Sequence, residues 1–224
     1  MEHGVRAEGV RRLVLKVHSG AVTLSDSGGT HVEGTIDTIR EPRIDQHDSW
    51  LTIHSRQEAD VRLAVPTGID VEIRTRIGNV TTRVELGNVS VLAGSGDVRL
   101  ARVTGPTEVS IASGDLDITD VDGAARVRSA SGDITIGRVG RALDAKAGSG
   151  DITVASNRGD LFVKAGSGNV SVGVPEGTPT WLNLNSATGD VRVLLPETEP
   201  DEESDDHASI QVVTASGNIK IVPA

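Results

Sequence analysis

Five times between Ser95 and Val172 the chain speaks one six-residue phrase: SGDVRL (95–100), SGDLDI (113–118), SGDITI (131–136), SGDITV (149–154) and SGNVSV (167–172). Its glycines stand at 96, 114, 132, 150 and 168, a strict period of 18. Nine residues out of step runs a weaker set, Gly87, Gly105, Gly123 and Gly159, with Arg141 where a fifth glycine would fall. A period this short leaves no room for a helix pair. It points to a solenoid, in which each coil buries its apolar face only against its neighbours.

Within each unit the apolar residues alternate, which is the strand period. After the first glycine, the columns Val98, Leu116, Ile134, Ile152, Val170 and Leu100, Ile118, Ile136, Val154, Val172 must face one interior. After the second corner, Val89, Thr107, Ala125, Leu143, Leu161 and Val91, Val109, Val127, Ala145, Val163 do the same. The expected fold is all-β: a parallel β-solenoid with about 18 residues and two short strands per coil, like residues stacking about 4.8 Å apart along the axis. Right-handed winding is the default for such connections. Glycine is read as supplying positive φ at the corners, with the following Asp or Asn closing the turn through its side chain.

Composition agrees. Only Phe162, Trp50 and Trp181 are aromatic, too few for an ordinary globular core but sufficient for a flat solenoid filled by Val, Ile, Leu and Ala. There are no cysteines, hence no disulfide framework or thiolate metal site. The stretch MEHGVRAEGVRRLVLKV lacks the apolar run of a signal peptide, and nowhere do 18 apolar residues follow one another, so a cytoplasmic location is expected. The formal charge of −10 is concentrated: residues 197–206, ETEPDEESDD, hold seven acids and no base, and without them the charge is −3. Such a segment cannot bury apolar area and is expected to be disordered.

The chain reads as one domain, 1–224. Residues 1–65 are irregular N-terminal coils or a cap, with strands expected at 10–17, 21–24, 31–36, 51–55 and 60–65 and a loop at 41–50. Regular coils follow over 66–195, opened by VPTG (65–68), with VPEG (174–177) returning late. An acidic loop, 196–208, precedes the final coil, 209–224. That coil, SGNIKIVPA, ends on a strand with only Pro223 to blunt it, so its edge is the expected open end of the solenoid.

The serial SGD[IV]x[IV] phrases flanked by VPxG resemble, over roughly residues 10–222, the bacterial adhesin-like domain of unknown function called the toastrack domain, related to autotransporter-adhesin head domains. That resemblance implies a single-domain β-solenoid. It also implies association with membrane proteins of the phage-shock and envelope-stress systems, although this chain carries no membrane segment of its own.

No nucleophile elbow, Walker loop or HExxH occurs, the six histidines are scattered, and the serines and aspartates of the repeat are ladders rather than a unique constellation. An enzyme is therefore not expected. Asp97, Asp115, Asp133 and Asp151 stack at about 4.8 Å and repel by roughly 1 kcal/mol per neighbour at water-like dielectric, so something must compensate. Turn capping is the favoured reading. Bound calcium is the alternative, although the ladder decays to Asn79 and Asn169, which are poor cation ligands. One outward column holds Ser110, Arg128, Lys146 and Lys164, a basic stripe, beside Glu108, Arg126, Asp144 and Phe162. Arg128, Lys146 and Lys164, anchored by Phe162, are the candidate residues for an anionic partner or lipid surface; the plainer reading is cross-coil pairing of Arg126 with Glu108 and Asp144. Nucleic acid is disfavoured by the acidity and the missing stacking aromatics. The leading expectation is a non-catalytic scaffold or protein-interaction module that self-associates through its solenoid ends or meets an envelope-stress protein. A ligand-binding adhesin-like module is the rival, and a polysaccharide-active enzyme comes third.

Overall fold

The computed structural model describes residues 1–196 and 207–224; the acidic stretch 197–206 lies outside the described residues. Twelve strands form the regular body: β7 (Ile69–Ile77), β8 (Val80–Thr82), β9 (Glu85–Ser95), β10 (Val98–Val103), β11 (Thr107–Ser113), β12 (Leu116–Val121), β13 (Ala124–Ser131), β14 (Ile134–Val139), β15 (Ala142–Ser149), β16 (Ile152–Asn157), β17 (Asp160–Ser167) and β18 (Val170–Val174). The odd-numbered strands stack in parallel as one sheet, the even-numbered as the other, with partners 18 residues apart, such as Val109 with Val127 and Ile118 with Ile136. The fold is the expected parallel β-solenoid.

Every residue of the four inward columns is buried. Each strand adds a third: Val103, Val121, Val139 and Asn157 on one sheet, Ala93, Ile111, Ser129, Ala147 and Ala165 on the other. The SG corners turn as expected, with φ of 119° to 137° at Gly132, Gly114 and Gly168 among others, and the Gly96 amide donates to the Ser113 carbonyl of the next coil. The second corner needs glycine for a different reason. Gly105, Gly123 and Gly159 do not have positive φ; instead each passes so close to the preceding coil that a Cβ would strike backbone, at Gly159 the Arg141 carbonyl.

Both ends depart from simple sequential stacking. The N-terminal strands are β1 (Glu2–Glu8), β2 (Arg12–Ser19), β3 (Val22–Asp26), β4 (His31–Thr38), β5 (Arg43–His47) and β6 (Trp50–Val65). The two strands expected at 51–55 and 60–65 are one continuous β6 that wraps a corner, and the expected loop at 41–50 contains β5, which folds back antiparallel on β6 through a turn at Asp48 (φ 50°). The coil β2–β3 does not sit outside β6. It is inserted between β6 and β7–β8, with Leu15 beside Ile53 on one side and Ile73 on the other. Strands β4 and β1 then extend the second sheet antiparallel, burying Val5, Val32 and Ile36.

The C-terminal strands are β19 (Thr180–Thr188), β20 (Val191–Val193), β21 (Ala208–Ser216) and β22 (Ile219–Pro223). Here the expectation of an open edge at SGNIKI is overturned. The final coil, β21–β22, lies inside the stack, between β17–β18 and β19–β20: Ile210 pairs with both Leu161 and Leu182, and Ile219 with both Val170 and Val191. The terminal edge is therefore β19–β20.

Candidate binding surfaces

The aspartate ladder lies along the SG corner and is fully engaged with backbone. Asn79 Oδ1 accepts the Asp97 amide (2.9 Å), Asp97 Oδ1 that of Asp115 (3.2 Å), Asp115 Oδ1 that of Asp133 (3.0 Å), Asp133 Oδ1 that of Asp151 (2.8 Å) and Asp151 Oδ1 that of Asn169 (2.7 Å). Each side chain caps not its own turn, as expected, but the turn of the next coil. The series continues through Asn169 to Asn218 (3.1 Å) and Asn218 to Asp190 (2.9 Å), so an amide oxygen serves where a carboxylate does not. The amide of Asp115 holds the Asp97 carboxyl below the usual aspartate range; burial opposes the shift and the Arg99 guanidinium, 2.9 Å away, assists it. Among the described residues no three His, Cys, Asp or Glu side chains converge as metal ligands do.

The outward face of the β11–β17 sheet carries two depressions of opposite character. The first, about 750 Å³, includes Arg12, Glu72, Glu108, Arg126, Asp144 and Phe162 in its lining. Its arginines are paired, Arg12 with Glu72 at 3.0 Å and Arg126 with Asp144 at 3.7 Å, while Asp70 and Asp160 accept the Asn88 and Ser209 amides. Cross-coil pairing thus accounts for this column, although Glu108 takes no part in an ion pair among the described residues.

The second is a shallow groove of about 1100 Å³ nearer the SG corners. Strand register brings Ser110, Arg128, Lys146 and Lys164 into one line along it, as expected from the period. Phe162 is not part of this line. It sits half-buried in the neighbouring column with the Lys146 ammonium 5.2 Å from its ring centre, so it covers its own strand rather than projecting as an anchor. The groove continues past Leu92 to Arg74 and Arg76, and then to Lys16 and Arg56, with His18 and His54 beside them. No Asp or Glu lines it. Arg74 reaches Glu72 (3.0 Å) and Lys146 reaches Asp144 (3.2 Å), both sideways into the first depression. Among the described residues Lys16, Arg56, Arg76, Arg128 and Lys164 form no ion pair. Counting back from Arg128 in steps of 18 reaches Ser110, Leu92, Arg74 and Arg56; Arg76 stands two residues off that count, and Lys16 could not be found by it, because only the inserted β2 brings it there.

At the C-terminal end the inward positions are not covered by any of the described residues. Val191 and Val193 are 44% and 45% exposed, whereas Ile219 and Ile221, their neighbours in the same columns, are completely buried. Leu182 and Leu184 are half-buried, and Trp181 and Leu194 are exposed.

A parallel solenoid with a covered N-terminal end, a C-terminal end edged by β19–β20 and a cationic groove defines a repeat-built β module. The chain belongs to the Toastrack DUF4097 family, whose model matches residues 16–222. It is similar in fold to a solved protein of Bacteroides fragilis carrying the provisional label of adhesin, with 12% identity over 99% of this chain and 96% of the other and a TM-score of 0.59. A protein of Parabacteroides distasonis with the same provisional label aligns over 98% and 96% of the two chains at 15% identity, with a TM-score of 0.46. No curated protein matches the chain.

Proposed function

We propose that this protein is a non-catalytic interaction module that pairs with a second copy of itself, tail to tail, through β19–β20. The observation that carries the reading is the contrast between its ends. Natural sheet edges are protected by charge, shortness or covering strands. At the N-terminal end the edge strands β1 and β5 carry Glu2, Arg6, Glu8, Arg43 and Asp45, and the core beneath β1 is closed. Strand β19, TWLNLNSAT, is nine residues long without a single charge, and it flanks the exposed Val191 and Val193. A two-fold axis across the solenoid sets such an edge antiparallel against its own copy, which closes the assembly at two. With one receptive end per molecule, filaments are not expected. The partner class implied by the family resemblance, an envelope-stress membrane protein, would then meet a two-fold symmetric scaffold.

Sedimentation velocity tests this. The expected result is a mass that doubles with rising concentration and goes no further, and a Val191→Lys, Val193→Lys variant that stays monomeric while keeping its strand signal in circular dichroism. A wild-type chain that is monomeric at every concentration refutes the reading.

A further inference from the structure

We infer that the basic groove binds a linear, carboxylate-bearing polysaccharide laid along the solenoid axis. The inference does not depend on pairing of the C-terminal ends.

The first argument is charge. Outside its acidic stretch this chain is nearly balanced, and the adjoining depression on the same sheet neutralises its arginines with acids 3.0 and 3.7 Å away. In the groove seven cationic side chains gather with no acid in the lining. Arg74 and Lys146 reach sideways to Glu72 and Asp144, but the other five form no ion pair among the described residues, and like charges so placed repel one another until an anion lies among them.

The second is spacing. The cations form two clusters: Arg128, Lys146 and Lys164 on three successive coils, and Lys16, Arg56, Arg74 and Arg76 at the other end. Between them stand Leu92 and Ser110. Arg74 to Arg128 is three coil steps, about 14 Å, and Lys16 to Lys164 is six, about 29 Å. A small anion would be served by one cluster; an occupant that uses both is a polymer.

The third is what the floor offers. Its strands are central, with backbone groups consumed by parallel partners on both sides, so an extended acidic peptide would find no hydrogen-bonding edge. No Phe, Tyr or Trp lines it, and its only rings, the imidazoles of His18 and His54, stand at one end, so nucleic-acid bases find no stacking platform along its length. It is concave, and its one exposed large apolar side chain is Leu92, which does not suit a flat bilayer. Beside the cations runs a column of Gly94, Ala112, Ala130, Gly148 and Gly166, a shelf with no side chain larger than a methyl on which rings can lie against the strands. A 1,4-linked uronic acid polymer carries a carboxylate on every ring, so a chain laid along the axis presents anions repeatedly along the line that holds Arg128, Lys146 and Lys164.

The test is fluorescence anisotropy with labelled galacturonate oligomers of three and seven rings, run on the wild type and on the Val191→Lys, Val193→Lys variant. Competitors are unlabelled polygalacturonate, neutral dextran, polyphosphate, a single-stranded oligonucleotide and phosphatidylserine vesicles. The seven-ring oligomer is expected to bind at least tenfold more tightly than the three-ring one, with affinity falling as salt rises and unaffected by the end variant. Arg128→Gln with Lys164→Gln is expected to weaken it tenfold or more with an unchanged melting temperature. Equal binding of both lengths, displacement by dextran, or stronger competition from polyphosphate, the oligonucleotide or vesicles than from polygalacturonate overturns the inference, as does undiminished binding by the double variant.

Discussion

Replacing Asp133 by asparagine or by alanine separates the two things its carboxylate does. Its Oδ1 accepts the Asp151 amide at 2.8 Å, while its own amide is capped by Asp115 at 3.0 Å. A hydrogen bond to a charged acceptor contributes about 2 kcal/mol and to a neutral one about 1 kcal/mol. Against this stand two like-charged neighbours, Asp115 and Asp151, one coil away on either side. At about 4.8 Å each repels by about 0.9 kcal/mol in water-like dielectric, and roughly half of that survives physiological salt, about 1 kcal/mol for the pair. Asparagine loses about 1 kcal/mol of hydrogen bonding and regains about 1 kcal/mol of repulsion, so Asp133→Asn is expected to be near neutral. Alanine loses the whole bond and regains the same repulsion, so Asp133→Ala is expected to cost about 1 kcal/mol. Urea unfolding at neutral pH, comparing midpoints at constant slope, resolves that difference. Asparagine at positions 79, 169 and 218 of the same ladder makes the same cap. The reasoning is refuted if the two variants are equally destabilised. A wild-type midpoint that rises with calcium, and loses that rise in Asp133→Asn, would make the carboxylates cation ligands instead.

Three further outcomes follow from the packing. Gly159→Ala places a methyl on the Arg141 carbonyl and should cost about 3 kcal/mol or more, read as a large drop in melting temperature, whereas Gly68→Ala, whose Cβ meets nothing within 4 Å, carries only the strain of its positive φ, about 1–2 kcal/mol. Thr214 is 2% exposed and its hydroxyl has no hydrogen-bond partner among the described residues, so Thr214→Val should stabilise by about 1 kcal/mol. The Asp97 carboxyl is held below its unfolded value, so its contribution is complete above the ordinary aspartate pKa of about 4 and is lost as pH falls through the lowered folded value; Asp97→Asn should flatten that acid limb of the urea midpoint.

The 18-residue beat made the body of the fold legible because each coil repeats one solution: the SG corner sets where the chain turns, and alternation sets which side chains enter. The same beat carried the line of Arg128, Lys146 and Lys164, since equal spacing in a parallel stack is equal height on one face. What it could not carry is which coil neighbours which. The corner phrase recurs at Ser19–Gly20 and at Ser216–Gly217, and a coil bearing it fits any place in a stack of like coils. The choice is made by chain connections and by which edges remain to be covered, neither of which is periodic. Hence the period places β21–β22 as an outer coil although it is interior, and it gives no sign that β2–β3 is inserted between β6 and β7–β8 or that Lys16 thereby joins the groove. Phe162 misled for a local reason: an outward aromatic on a flat sheet lies down beside its neighbours, here beneath Lys146.

The inserted C-terminal coil also sets a timetable. During synthesis β19 and β20 leave the ribosome before β21 and β22, yet their seat in the stack is on β21 and β22. Until residues 208–223 arrive, the half-finished solenoid ends at β17–β18, and the earlier segment has either to wait or to occupy a place that is not its own. Leu182 could pack on Leu161 in the position reserved for Ile210, since both lie in one inward column. Residues 208–223 must then displace it. A molecule that fails to do so keeps a coil of matching shape in the wrong slot, and a protease or chaperone that recognises the stranded strand would be reading an error in the order of the coils.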